Sequence, residues 1–507
     1  MLILLWILIA VLVGTNLTAP IIDPDLWWHI TVGRWILSHK TVPYLDYWNA
    51  FGHGLPWRAY SWSNEVLYAG VEAVWGLVGI AWFKMVVAIF VVLALQYLFS
   101  LMSGSYFLGC LLGILTTAGF ANHFTLRPQL LAWVLFGSVL FLVDRCCSHK
   151  VTRSRCVLLV LLGCCWTNTH LSAIIGVIGA FLWARQDTWG EESYRRPLIV
   201  TGSFLLGTLI SPYFGGEWVT LFAKSDHVFQ FNEIAEFGAL TIKDRCAGVL
   251  LIQIVLLVVL SYNHRLLPSF SRIVLALGCI LVGALIVKFV PFAVVCLSAI
   301  LARWFRDYEQ GQEKESSSDR ILAGVKLLQT RVCSLQIKTM QAVGFFMVCL
   351  IIFNCVRFHR NPTNREMYPW NAVDFIRKKN LHFPIAHGFG QGGFMMYQFS
   401  DSDGTPIERV VIDGRTNVNP PAIWTAFKGA QYGRREWEDY LEKTKAKTVV
   451  WKESFALSSL LRLSTDWCEV VDGASNPDKF SVFISREEFE SRRDEFVSTD
   501  CGAQKPG

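Results

Sequence analysis

Residues 21–35 read IIDPDLWWHITVGRW and follow the apolar run LILLWILIAVLVG near the start of the chain. Two carboxylates one residue apart, Asp23 and Asp25, therefore stand where a first hydrophobic segment ends and where desolvation makes charge costly. Aspartate ahead of proline is a helix start, with Asp23 as cap, Pro24 at the first helical position and Asp25 in the first turn. Capping needs one carboxylate only. Asp25 is left without a structural task, and in a helix it shares a face with His29 and then with Gly33, which has no side chain. A carboxylate, an imidazole and an open patch at a membrane edge make a base or cation site. Trp27 and Trp28 read as interfacial anchors beside it.

Outward from this stretch, the composition is that of a membrane protein. The 507 residues are 53% hydrophobic and 17% charged, where soluble domains carry about 25% charge. Apolar runs near the roughly 17–25 residues that cross a bilayer recur through the first 357 positions, among them FKMVVAIFVVLALQYLF and VLLIQIVLLVVLSY. The first run lacks a basic leader and reads as a retained span rather than a signal peptide. The net charge of +6 calls for no nucleic-acid partner, because Lys and Arg collect in loops between apolar runs. Most of the 14 cysteines lie inside those runs as small core residues. No C-x-x-C pair occurs; Cys468 and Cys501 could pair in an oxidising compartment.

Basic loops at 144–155, 185–196, 263–272 and 303–331 are expected on the cytoplasmic side. Spans then fit near 2–20, 84–102, 105–121, 129–144, 155–168, 170–185, 197–212, 246–262, 271–287, 289–304 and 340–357, about 11 in all. The odd count sends the C-terminal part outside. Residues 64–82 resist the scheme and are expected to lie in the interface or half-inserted. The expectation is a polytopic α-helical membrane protein, with a transmembrane domain over 1–357, a first outer loop at 21–63, and an extracytoplasmic α/β domain over 358–507. In that domain NAVDFIRKKN and WEDYLEKTKA read as helices, and RVVIDGR, KTVVW and FSVFIS as strands.

Further candidates lie in the expected outer loops. Asp46, Arg58 and Glu65, with His53, stand among aromatics in the first loop, a mixture that suits sugars: rings stack on apolar sugar faces while carboxylates bind hydroxyls. The bland alternative is an aromatic belt with loop charges, and Glu65 also suits the first turn of a helix capped by Ser63. His123 and Arg127 lie in ANHFTLRPQ, His170 with Asn168 in WTNTH, and Lys288 stands as a lone cation in IVKFVPF. Arg127 and Lys288 are candidate phosphate ligands. HGFGQGG at 387–393 lacks the strand and helix setting of a nucleotide loop, and IDGR at 412–415 reads as a turn with an internal salt bridge.

The run D-x-D-x-W-W-H-I-x-x-G-x-W-I, the later V-P-x-x-D, and P-W-x-x-x-x-W-x-x-E resemble the first extracytoplasmic loop of GT-C class membrane glycosyltransferases, similar to the protein O-mannosyltransferase and aminoarabinose transferase groups. L-R-P-Q-L, G-Q-G-G-F-M-M-Y and V-I-D-G-R-T-N-V resemble uncharacterised bacterial members. The resemblance implies a polyprenyl-phosphate-linked sugar as donor and transfer at the outer face of a bacterial inner membrane to an envelope lipid, glycan or protein. It carries the base onto Asp25, with Asp23 second and His29 as a tuning partner. Asp25 is followed by Leu26, so the D-E pair typical of the mannosyltransferases is missing. A divalent metal between carboxylates would assist, but no ligand set is legible. The alternatives are a transporter or flippase of a lipid-linked or polar solute, for which matched broken helices are lacking, and a non-catalytic envelope assembly protein.

Overall fold

The computed structural model describes residues 2–17, 20–120, 123–185, 191–223, 234–315, 337–496 and the single positions 324, 327, 330 and 501. Parts of the basic loops expected at 185–196 and 303–331 thus lie outside the described residues. The chain divides into two compact units, one of residues 1–19, 80–219 and 231–360, the other of 20–79, 220–230 and 361–507.

The first unit is helical. The apolar runs form α1 (Leu2–Leu17) and helices Tyr106–Ala118, Gln129–Ser148, Arg153–Thr169, Ala173–Ala184, Glu191–Thr208, Arg245–His264, Phe270–Leu285, Val290–Glu315 and Ile337–Arg360. Among the described residues, five helices are long and apolar enough to cross a membrane, over 62–103, 129–148, 245–264, 287–311 and 341–360, with three shorter apolar ones. Caps set the boundaries: Ser105 Oγ accepts the Leu108 N–H and Thr152 Oγ1 accepts the Arg155 N–H. Between apolar helices, polar side chains supply specific contacts. Ser298 Oγ lies 2.6 Å from Thr116 Oγ1 and accepts from Gln253 Nε2 at 2.7 Å, tying three helices at one point. Buried Asp144 accepts from Arg303 at 3.1 Å and from Trp183 Nε1 at 3.2 Å, so its charge is paired.

α3 (Trp62–Ser103) runs on from the first loop and contains one non-helical residue, Gly76, at φ 61° and ψ −160°. That conformation is open essentially to glycine alone. Residues 64–82, which resisted assignment, therefore comprise a helical stretch, a break and the beginning of the apolar run. The stretch up to Gly79 belongs to the second unit and the run from Ile80 to the first.

In the second unit, α2 (Asp25–His39) packs with the C-terminal segment. The tryptophans expected at a membrane interface are buried in protein instead: Trp27 is fully enclosed and meets Tyr368, Trp370 and Phe394 edge to face at 5.0–5.8 Å. Four strands, β1 (Ile385–His387), β2 (Thr448–Lys452), β3 (Trp467–Val471) and β4 (Phe480–Ser485), make a mixed sheet of order β1-β2-β4-β3. β1 and β2 are parallel; β4 runs antiparallel to both neighbours. KTVVW and FSVFIS are strands as the alternation predicts, whereas RVVIDGR is not. Val410, Val411 and Ile412 are all buried, on consecutive positions, and the segment makes one isolated bridge, Val410 with Asn49, rather than a ladder. Cys468 and Cys501 form a disulfide.

Candidate active site

The stretch at 21–35 folds as its sequence dictates. Asp23 is buried and its Oδ1 accepts the Asp25 N–H at 3.0 Å, closing the turn that launches α2 after Pro24. Asp25, the first residue of the helix, is half-buried. Its Oδ1 reaches Gly414 of the IDGR turn so closely that a Cβ there would lie 2.1 Å away. The glycines of HGFGQGG serve the same corner. A Cβ on Gly392 would lie 2.0 Å from the Ile412 carbonyl oxygen, and one on Gly393 2.5 Å from that of Pro24. The glycine run is thus a packing device that brings three backbones together around Asp25.

His29, one turn on, is buried, and its Nδ1 lies 3.3 Å from Glu65 Oε1. Ser61 Oγ donates to the same oxygen at 3.1 Å, while Glu65 Oε2 is buried without a partner. The bond with Glu65 engages Nδ1 of the ring rather than Nε2. Nε2 makes no hydrogen bond with a described residue. The patch expected at Gly33 is not open: the Glu65 backbone crosses there, its carbonyl oxygen 1.9 Å from where a Cβ would stand. That crossing is what brings Glu65 to His29.

Asp46 is fully buried in a different network of the same unit. Arg415 donates to Asp46 Oδ1 at 2.8 Å and grips Asp413 with two bonds of 2.9 Å. Asn49 donates to Asp413 Oδ2 at 3.0 Å, and the Asn419 amide bonds the Asp413 backbone at both ends, at 3.1 and 2.7 Å. The guanidinium lies 4.8 Å from the Trp57 ring. Burial works against its charge, but the two carboxylates outweigh burial and hold it protonated. Arg58 is half-buried and makes no ion pair or side-chain hydrogen bond with a described residue.

The other candidates lie in the first unit. Lys288, read as a lone cation, donates to Glu236 Oε1 at 2.8 Å, and Arg127 pairs with Glu236 Oε2. Burial would raise the Glu236 carboxyl, yet Lys288 and Arg127 overcome it and hold the group down at about 2. His123 is buried beside this cluster, its Nε2 without a hydrogen bond; burial lowers its affinity for a proton, and Glu236 opposes that only in part. His170 lies apart as the C-cap of helix Arg153–Thr169, with its Nδ1 2.8 Å from Ser172 Oγ. Asn168 donates to the Cys164 and Ile210 carbonyls at 2.7 and 2.8 Å, a helix-tying role.

Glu236, Gly414 and Ser61 carry no motif in the sequence; Glu236, half-buried, lies in a connection, though two neighbouring cations demand an acid between them. Among the described residues no three His, Cys, Asp or Glu side chains gather as a metal site.

No protein-family model matches the chain, and no curated protein matches it in sequence. Among solved structures it is similar to the oligosaccharyltransferase of Archaeoglobus fulgidus. With that protein tethered by a disulfide bond to an acceptor peptide containing the NVT sequon, the TM-score is 0.51 at 11% identity, over 88% of this chain and 68% of the other. With its apo form the TM-score is 0.48 at 11% identity, over 88% and 69%. At such identity the likeness is one of fold: the chain, with described helices long and apolar enough to cross a membrane, shares the fold of the archaeal oligosaccharyltransferase.

Proposed function

We propose that the protein transfers a sugar from a polyprenyl-phosphate-linked donor to an acceptor hydroxyl or amide of an envelope lipid, glycan or protein, at the outer face of a bacterial inner membrane. The observation that carries this reading is the placement of Asp25: a half-buried carboxylate at the start of α2, its Oδ1 lying where a side chain at Gly414 would stand. The GT-C architecture supports it, and the disulfide in the C-terminal segment agrees with an oxidising compartment.

In the reaction the acceptor atom attacks the anomeric carbon, the new glycosidic bond forms, and the bond from that carbon to the phosphate oxygen breaks. The polyprenyl phosphate leaves with the electron pair. Asp25 removes the acceptor proton, acting as general base. His29, oriented through Nδ1 by Glu65, offers Nε2 as the next station for that proton. Arg58, uncommitted to any described carboxylate, stabilises charge developing on the phosphate. Apart from this site, within the first unit, Arg127 and Lys288 share the Glu236 carboxylate, a group with net positive charge suited to an anion.

The test uses the purified full chain in nanodiscs, a polyprenyl-phosphate sugar, and peptide, glycan and lipid acceptors in parallel. Asp25→Asn should lower transfer by about a hundredfold or more, the scale of general-base catalysis, with donor binding and melting temperature retained. Undiminished transfer by that variant would remove Asp25 from the mechanism.

A further inference from the structure

A cleft of about 290 Å³ in the second unit, unused by the reaction above, has walls formed by His53, Phe383, Pro384, Pro406, Glu408 and Arg409. Its walls are fixed by main-chain bonds. Ala50 N–H donates to the Val410 carbonyl and Val410 N–H to that of Trp48, at 2.8 and 2.9 Å, which sets Arg409 beside the first loop. The N–H groups of Ile407 and Glu408 both donate to the Phe399 carbonyl, at 3.0 and 3.1 Å. His53 stands in a turn closed by Gly54 N–H to the Asp46 carbonyl at 2.8 Å. The cleft is therefore preformed.

Its polar groups are held yet unspent. Arg409 Nε donates to the Tyr47 carbonyl at 3.1 Å and its Nη2 to His53 Nε2 at 3.2 Å. An arginine only donates, so His53 Nε2 is the acceptor there and its remaining ring N–H is a donor. Two of five guanidinium donors are spent in this way, and three remain. Arg409 forms no ion pair with a described residue, and neither does Glu408, its neighbour in the chain and in the cleft. Arg409 is exposed, yet it is anchored at both Nε and Nη2. A fork fixed in a concavity, with an aromatic ring and two prolines opposite and an acceptor-only carboxylate alongside, is built to read a ligand.

The chemistry selects that ligand. Free guanidinium donors in fixed geometry match a carboxylate. Glu408 can only accept, and so matches hydroxyl groups rather than a second anion. Phe383, Pro384 and Pro406 match the C–H face of a saturated ring, and the volume falls at the low end of the roughly 300–1,000 Å³ range of ligand pockets, room for one ring. We propose that this cleft binds a single hexuronic acid residue of an acidic glycan, the carboxylate on Arg409 and His53 and the hydroxyls on Glu408.

The experiment measures binding, not transfer, so it succeeds or fails independently of the glycosyltransferase reading; Asp25→Asn protein should bind as the wild type does. Saturation-transfer NMR and titration of the full chain in uncharged nanodiscs would compare a trisaccharide ending in glucuronic acid with the same trisaccharide ending in glucose. The acidic probe should bind about tenfold tighter or more, the worth of one charge-assisted hydrogen bond. Arg409→Gln should erase that preference. Ile407, which lines the cleft and is 62% exposed, tolerates substitution without loss of fold. Ile407→Asp should therefore weaken the acidic probe by about tenfold through like-charge repulsion and leave the neutral one unaltered. Equal binding of the two probes by the wild type would overturn the proposal, as would a preference that survives both substitutions.

Discussion

Arg415 lies between two buried carboxylates, and replacing it by leucine isolates both. The side chain is within 2.9 Å of Asp413 and 2.8 Å of Asp46, and all three are at most 3% exposed. Removing one partner from such a buried pair costs about 3–5 kcal/mol, because the charge left behind has neither water nor counter-ion. For a cooperative unit of some 200 residues, each kcal/mol lowers Tm by about 2–4 °C, so Arg415→Leu should lower Tm by about 6–20 °C. Tryptophan fluorescence during heating is the assay. Trp48 and Trp57 lie 5.5 and 4.8 Å from the guanidinium and report its surroundings directly. The same reasoning makes the effects non-additive: Asp46→Asn with Arg415→Leu should cost less than the two single changes summed, by about 1–3 kcal/mol, since the second change relieves part of the first. A drop below about 3 °C, or strict additivity, would refute the assignment of this triad as a buried charge network.

Two other perturbations probe the site and its surroundings. Gly414→Ala places a methyl group on the far end of a flexible side chain, 2.1 Å from Asp25 Oδ1; the carboxylate should swing aside, cutting transfer by about tenfold to a hundredfold with Tm nearly unaltered, and unchanged kcat would count against Asp25 as base. His387 is fully enclosed, with Nε2 unpartnered, and burial pulls its pKa down to about 4 against 6.5 in the open chain, Gly388 and Asp413 offsetting only part. Between those values the unfolded chain binds more protons, so stability should be full above pH 6.5 and lose about 3 kcal/mol as pH falls toward 4. His387→Gln should flatten that part of the pH–stability curve, and a variant with the wild-type slope would show that another group sets it.

The helices were legible because apolar runs and capping residues are local: Asp23-Pro24 starts α2 where the sequence places it, and Ser105 and Thr152 open theirs. What the sequence hid is long-range. Trp27 and Trp28 look alike as interfacial anchors or as core, because an indole suits both, and the partners of Trp27, Tyr368, Trp370 and Phe394, lie far along the chain. RVVIDGR looked like a strand because three β-branched residues suit one. Only Val410 makes a bridge, to the first loop, and from Asp413 on the side chains of Asn49 and Asn419 satisfy the turn. Lys288 looked alone because Glu236 announces itself by no motif. The glycines at 388–393 carried a signal of close backbone approach, and only the fold says that the approaching backbones are those of Pro24 and Ile412.

The bond from Arg415 to Asp46 joins positions 369 residues apart. A ribosome adding about 5–20 residues per second needs about 20–70 s to cover that distance. Throughout that interval Asp46 has been synthesised and its arginine has not, so the early loop cannot bury its carboxylate and must remain hydrated. Completion of the second unit is therefore a late event in the life of the nascent chain. A molecule stopped before residue 415 carries an apolar, tryptophan-rich loop with nothing to close over it, and such a surface is a natural target for chaperones and proteases.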